Sequence, residues 1–298
     1  MKRFWIWILC LTLMASAALA DGPAPLPWDA ERAPAAPKAE NYLPDQAGYH
    51  DSTVDIQVER IVWEEASAIV VRIKLTDPTQ LRTALMAKFP SKITQPVATV
   101  ARRVNAVLAV NGDWFITHED GIVYRNGVRL RFRPNSGRDT LIIDSEGNFT
   151  ILKPTPSFGW GTKAVQEGEA WWDGYLKETG ITPIHTFCFG PGLVVDGEVI
   201  EDHSDDKLGT GWRYPNRRMG IGQLDTLSYV IVACDGPDDG KTEGMTLAAF
   251  ARLFKHLGCT NAYNLDGGSS ACLVMNNQRF LKRGSRDVSD ILWIASLE

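Results

Sequence analysis

The sequence predicts an α+β fold: a single sheet-rich domain with a mixed, twisted β-sheet core and a few packed helices. Short apolar or β-branched runs, most of four to seven residues and bounded by Gly, Asn or Asp, recur along the chain. One amphipathic helix carries both a cap and a stop, and no internal repeat or charge block interrupts the pattern. The 298 residues are 44% hydrophobic and 22% charged, values of a folded chain that exclude disordered, collagen-like and disulfide-dependent miniprotein classes. The formal charge is -5, so no global basic field is present to hold a nucleic-acid backbone, and nucleic acid is not an expected partner.

The elements follow in chain order. Lys2 and Arg3 precede an apolar stretch at residues 4–14, and Ala18-Leu19-Ala20 supplies the small-x-small pattern of a signal-peptidase site before Asp21. That apolar stretch is shorter than the roughly 20 residues that span a bilayer. Residues 1–20 are therefore expected to be a cleaved signal peptide, giving an exported protein, periplasmic or extracellular, with no membrane span after cleavage. Cleavage removes two basic residues and no acidic one, which makes the mature charge -7. Residues 21–48 hold six of the 16 prolines and read as a semi-rigid Pro/Ala-rich tether.

From residue 49 to residue 298 the pattern is that of one domain. Strands are expected at residues 54–58, 68–73, 104–110, 140–143, 193–195, 228–233, 273–275 and 291–295. Thr246 can cap a helix whose Leu247, Phe250, Phe254 and Leu257 share one face, with Gly258 as its stop. A second helix is expected over residues 80–86. Cys188, Cys234, Cys259 and Cys272 remain after export; they can form two disulfides or stay as four small buried side chains. They form neither CxxC nor a Cys/His metal spacing, and no metal or cofactor is expected.

Several motifs fail on spacing. The stretch from Gly236 to Thr242 lacks the first glycine of a P-loop, and Pro237 occupies the third position of any EF-hand-like reading. His118-Glu119 lacks the second His of a zinc protease, and there is no GxSxG elbow. The Asp202 to Asp206 run reads as a solvated acidic turn.

Four polar segments flank strand-like runs: Asn111-Gly112-Asp113-Trp114-Phe115, Asn216-Arg217-Arg218-Met219-Gly220, Asp235-Gly236, and Asn264-Leu265-Asp266-Gly267-Gly268-Ser269-Ser270. Strand ends are where a rigid scaffold presents functional groups. Asp266 and Asp235 can act as an acid, base or nucleophile pair at a sugar carbon. Arg218 offers a planar donor fork to a phosphate, and the N–H groups of Gly267, Gly268 and Ser269 can cradle an anion. Asn111, Asp113 and Asn264 are further substrate-binding candidates, and Trp114, Trp160, Trp171, Trp172 and Trp212 offer faces on which a sugar ring can stack.

The stretch from Asn216 to Met275 resembles the phosphodiester glycosidase family. The resemblance lies in Arg218-Met219-Gly220-Ile221-Gly222, Asp235-Gly236, Gly244-Met245-Thr246-Leu247 and Asn264-Leu265-Asp266-Gly267-Gly268-Ser269-Ser270. Upstream, Asn111-Gly112-Asp113-Trp114-Phe115 and Gly190-Pro191-Gly192-Leu193-Val194 extend it in order. The chain departs from the family pattern at Pro237, at Met219-Gly220, and in a missing third glycine after Asp266. The resemblance implies hydrolysis of a sugar-1-phosphodiester at its glycosidic bond, with a sugar-phosphate or glycan as substrate. An exported glycan- or envelope-binding protein of the same fold is the alternative. A metal-dependent phosphodiesterase would need a His and carboxylate cluster, and the five histidines are scattered.

Overall fold

The computed structural model describes residues 33–117, 119–134, 137–153, 156, 158–159, 161–204, 211–236, 244–281 and 286–298. The export signal expected at residues 1–20, His118, Trp160 and residues 237–243 lie outside the described residues. The chain opens with β1 (Gly48–His50), β2 (Val54–Trp63), β3 (Ala66–Leu75), β4 (Leu81–Leu85), α1 (Val97–Arg103) and β5 (Leu108–Asn111). Next come β6 (Gly121–Arg125), β7 (Val128–Arg133), β8 (Thr140–Asp144), β9 (Phe149–Leu152) and α2 (Thr162–Thr179). These lead to β10 (Pro183–Phe187), β11 (Gly192–Val195), β12 (Glu198–Val199), β13 (Arg218–Asp225), β14 (Ser228–Cys234) and α3 (Leu247–His256). The chain ends with β15 (Asn261–Asn264), β16 (Leu273–Met275), β17 (Gln278–Arg279) and β18 (Asp290–Ile294).

Two sheets carry the architecture. One has eight strands in the order β1-β2-β3-β14-β13-β15-β11-β12, the other five in the order β17-β16-β5-β18-β4. Period-2 alternation places Ile56, Val71, Ile231, Met219 and Tyr263 on the inner face of the first. They pack against Leu108, Val110, Leu273 and Leu292 of the second, together with Leu141 and Phe149. Helix α3 covers the outer face of the eight-stranded sheet, with Phe250 and Phe254 against Val230 and Val232. Helix α1 covers the outer face of the five-stranded sheet through Val97, Val100 and Val104. The result is four layers, helix, sheet, sheet and helix. Two smaller sheets, β10-β8-β9 and β6-β7, flank them, and α2 buries Trp172 against Ile122 and Ile142.

The α+β class stands, with two qualifications. All strand pairs among the described residues are antiparallel where a mixed sheet was expected. Alternation identifies a half-buried strand but carries no information on its direction. The helix expected over residues 80–86 is instead a single 3-10 turn, Pro78–Gln80, followed by strand β4. Asp77 and Gln80 close a capping box around that turn, and Leu81–Leu85 then pairs with β18 as a short run buried in the sheet. Such a run is too short for its period to separate helix from strand. The strand expected at residues 104–110 is confined to Leu108–Asn111, because Val104 ends α1.

Residues 35–48 of the Pro/Ala-rich segment lie on the domain. The Ala35 N–H donates to the Ser296 carbonyl at 2.9 Å, and Tyr42 packs edge-on against Tyr49. Cys188, Cys234, Cys259 and Cys272 are buried and no disulfide joins them; Cys234 and Cys259 lie in the core beneath α3, Cys272 in that beneath α1, and Cys188 beside Phe115.

Candidate active site

The loop from Leu265 to Cys272 leaves β15 in the eight-stranded sheet and enters β16 in the five-stranded sheet, so it bridges the two at one end of the sandwich. Asn111, the last residue of β5, fastens it. Its Nδ2 donates to the Asp266 carbonyl at 2.7 Å and the Gly112 carbonyl at 3.1 Å, and its Oδ1 accepts the Cys272 N–H at 3.1 Å. The Leu265 N–H donates to the Met219 carbonyl and the Gly268 N–H to the Arg217 carbonyl, which joins the loop to the start of β13. A glycine is required at 267: a Cβ there would stand 2.7 Å from the Arg217 carbonyl oxygen.

Asp266 is therefore held from both sides, and the residue is only 5% exposed. Its Oδ2 accepts from Arg286 Nη2 at 3.0 Å. Arg286 also donates from Nε and Nη2 to Ser270 Oγ, at 3.0 and 2.6 Å. The Arg286 guanidinium lies 3.7 Å from the centre of the Trp114 ring, and Trp114 adopts φ +54, a left-handed backbone that costs energy for a bulky residue. Burial raises the Asp266 carboxyl above its ordinary pKa, against the downward pull of Ser270, Arg286 and the Gly267 N–H.

Asp235 follows β14 and lies 5% exposed; its N–H donates to the Ser67 carbonyl, while its Oδ1 has no hydrogen-bond partner among the described residues. The register pairs Arg218 with Cys234 and Gly220 with Asn264. Asp235 and Asp266 thus continue strands on either side of β13, at one end of the sheet and about 10 Å apart at backbone level for two strand spacings.

The remaining sequence candidates divide by what their polar atoms touch. Arg218 lies on the α3 side of the sheet. Its Nε donates to the Met245 carbonyl and its Nη2 to the Gly211 and Tyr214 carbonyls, so it ties the loop before β13 to the approach to α3; burial lowers its pKa to about 10. Asp113 is fully buried. Its Oδ1 accepts from Arg125 Nη2 at 2.7 Å and its Oδ2 from the Cys188 N–H at 2.8 Å, while Arg125 also holds Asp290 at 2.8 Å. Asn264 donates to the Gly190 carbonyl at 2.8 Å and keeps an Oδ1 with no partner among the described residues. Gly267 and Gly268 are half-buried and Ser269 is exposed at the rim, with the Gly268 N–H already engaged. Of the tryptophans, Trp114 lies at this site and Trp172 is core; Trp171 packs beside Trp172, and Trp212 stands against His203.

Arg286, Ser270, Arg125 and Asp290 were not singled out from the sequence. Arg286 closes the basic stretch Lys282-Arg283-Gly284-Ser285-Arg286, which reads as a solvated turn. Among the described residues no three His, Cys, Asp or Glu side chains converge as a metal site.

The family model of the phosphodiester glycosidases matches residues 104–295, more than half of the chain. The chain belongs to the phosphodiester glycosidase family. The match begins where α1 ends and runs through β18, so this family domain takes β1 to β4 of its two sheets from upstream residues. The fold is similar to that of the zebrafish N-acetylglucosamine-1-phosphodiester α-N-acetylglucosaminidase catalytic domain auto-inhibited by its pro-peptide. The two are 18% identical with a TM-score of 0.60 over 84% of this chain and 86% of that one. A hypothetical protein from Synechocystis is also similar, at 15% identity and a TM-score of 0.54 over 81% of this chain and 62% of that one. No individual curated protein matches the sequence of this phosphodiester glycosidase family member.

Proposed function

We propose that this protein hydrolyses the glycosidic carbon–oxygen bond of a sugar-1-phosphodiester, releasing free sugar and a phosphomonoester, and that it does so after export directed by residues 1–20. The observation that carries the reading is the Asp266 carboxylate, buried and oriented by Arg286 and Ser270 on the loop that joins the two sheets. Family membership gives that carboxylate its chemical context.

Asp266 acts as nucleophile or base at the sugar carbon, and Asp235 is its partner. A phosphate leaves more readily than a sugar alkoxide, so the site needs electrostatic stabilisation of the departing anion more than proton donation. Asn111 serves by holding the Asp266 loop, and Asn264 Oδ1 is an acceptor for a sugar hydroxyl. The zebrafish relative is described as acting on an N-acetylglucosamine-1-phosphodiester, which makes that sugar the first to test.

Hydrolysis in water enriched in heavy oxygen tests the assignment. A phosphomonoester product free of label supports carbon–oxygen cleavage. Label in the phosphate would mean phosphorus–oxygen cleavage, and binding of glycosyl phosphates without turnover would favour the glycan-binding alternative.

A further inference from the structure

We propose that Arg286 is the residue of this site that recognises the phosphoryl group of the substrate. The proposal rests on the glycosidase reading, since it assigns the anionic half of the same substrate. Three observations lead to it.

First, the donors that the sequence offers for an anion are partly committed elsewhere. Arg218 Nε and Nη2 bond three backbone carbonyls on the α3 side of the sheet, and the Gly268 N–H bonds the Arg217 carbonyl. Arg218 is thus turned toward the α3 side, and the cation that touches Asp266 is a different one.

Second, Arg286 is that cation. Its side chain touches the Asp266 carboxylate at 3.0 Å yet remains 36% exposed, whereas the carboxylate side chain is 7% exposed. The guanidinium is therefore the more solvent-accessible member of the pair.

Third, the guanidinium is pre-organised. Its face lies 3.7 Å over the Trp114 ring, and its Nε and Nη2 are fixed by Ser270 and Asp266. None of the hydrogen bonds among the described residues uses Nη1, and the side chain is 36% exposed. A planar donor fork held against an indole suits a tetrahedral oxyanion and loses little side-chain entropy on binding. The left-handed backbone of Trp114 is the strained element that places the indole.

The test compares the unaltered protein with Arg286→Gln and Arg286→Lys on two substrates of one sugar, a glycosyl phosphodiester and the uncharged para-nitrophenyl glycoside, with inorganic phosphate as a competing probe. Loss of a charge-assisted bond predicts that kcat/KM of Arg286→Gln falls about 10- to 100-fold further on the diester than on the aryl glycoside. Inhibition by phosphate should weaken by at least about tenfold in Arg286→Gln, and Arg286→Lys should recover part of both effects. Equal loss on the two substrates, or phosphate inhibiting the variant as strongly as the unaltered protein, overturns the assignment. If Arg286→Gln fails to fold, the same comparison with Arg286→Lys decides. If the unaltered protein hydrolyses neither substrate, the glycosidase reading fails and calorimetric titration with inorganic phosphate judges Arg286 separately. Binding lost in the variant upholds it, and binding unchanged by the variant, or absent from the unaltered protein, overturns it.

Discussion

The Asn111 side chain satisfies three main-chain groups at once, two carbonyls and the Cys272 N–H, and it does so fully buried. Asn111→Ala removes the side-chain partner of the Asp266 carbonyl and the Cys272 N–H and should lower stability by about 2–3 kcal/mol, because a buried polar group without a partner costs its full desolvation. Urea unfolding measures this; a loss under about 0.5 kcal/mol, the size of an ordinary surface substitution, would contradict the clamp. Arg218 holds backbone carbonyls, so Arg218→Ala should reduce hydrolysis of a phosphodiester and of an aryl glycoside by the same factor. A loss confined to the diester would return the phosphate role to Arg218. At this scale the sequence is legible where rare polar residues cluster after strands, as at Asp266 and Asp235. It is not legible where a role depends on a return of the chain. Arg286 meets Asp266 from 20 residues further along the chain, and nothing in its basic stretch marks that.

Helix α3 shows which elements sequence rules can reach. Thr246 Oγ accepts the Ala249 N–H at 3.1 Å, and the chain leaves the helix through Gly258 at φ +94. Both ends were readable, because capping is local chemistry. Thr246→Ala should cost about 1 kcal/mol of stability, seen as a lowered thermal midpoint; an unchanged midpoint would deny the cap a role. The same helix approaches β13 so closely that a Cβ at Gly220 would stand 2.9 Å from rings of both Phe250 and Phe254. Overpacking there should make Gly220→Ala about 1–3 kcal/mol less stable, and a neutral result in urea unfolding would mean that α3 can shift outward. Helix α1 carried a usable signal in Val97, Val100, Ala101 and Val104, an i, i+3, i+4, i+7 face. Strand β4 carried none, since its direction and partner are set by β18 from the far end of the chain. Local patterns thus recovered α3 and eight of the 18 described strands, while the other strands, sheet order and strand direction came from long-range pairing.

Across the whole molecule, buried titratable groups set the response to pH. The Asn126 N–H donates to His185 Nδ1 at 3.2 Å and His185 Nε2 donates to the Leu81 carbonyl at 2.9 Å, an arrangement for the neutral ring; burial lowers its pKa to about 3. The unfolded chain takes up that proton first, so His185 withdraws stability as pH falls from its ordinary value toward 3. Asp290 does the opposite. Burial raises it to about 6 against the pull of Arg125, with the Asp113 charge raising it further. The folded state then takes up the proton first, and stability from this group grows as pH falls from about 6 toward the ordinary carboxylate value and is lost as pH rises through 6. Between these limits the two slopes oppose, each about 1.4 kcal/mol per pH unit. Asp290→Asn, which cannot titrate, should therefore lose stability on acidification more steeply than the unaltered protein by about that slope; parallel curves in urea unfolding would remove Asp290 from the balance. The loop that joins the two sheets lies at their common end, and Asp266 is the carboxylate on it. The most direct test is the rate at which Asp266→Asn releases reducing sugar from a glycosyl phosphodiester, measured beside its unfolding midpoint. A rate reduced by at least about 100-fold with the midpoint retained is the predicted result, and a rate equal to that of the unaltered protein would contradict it.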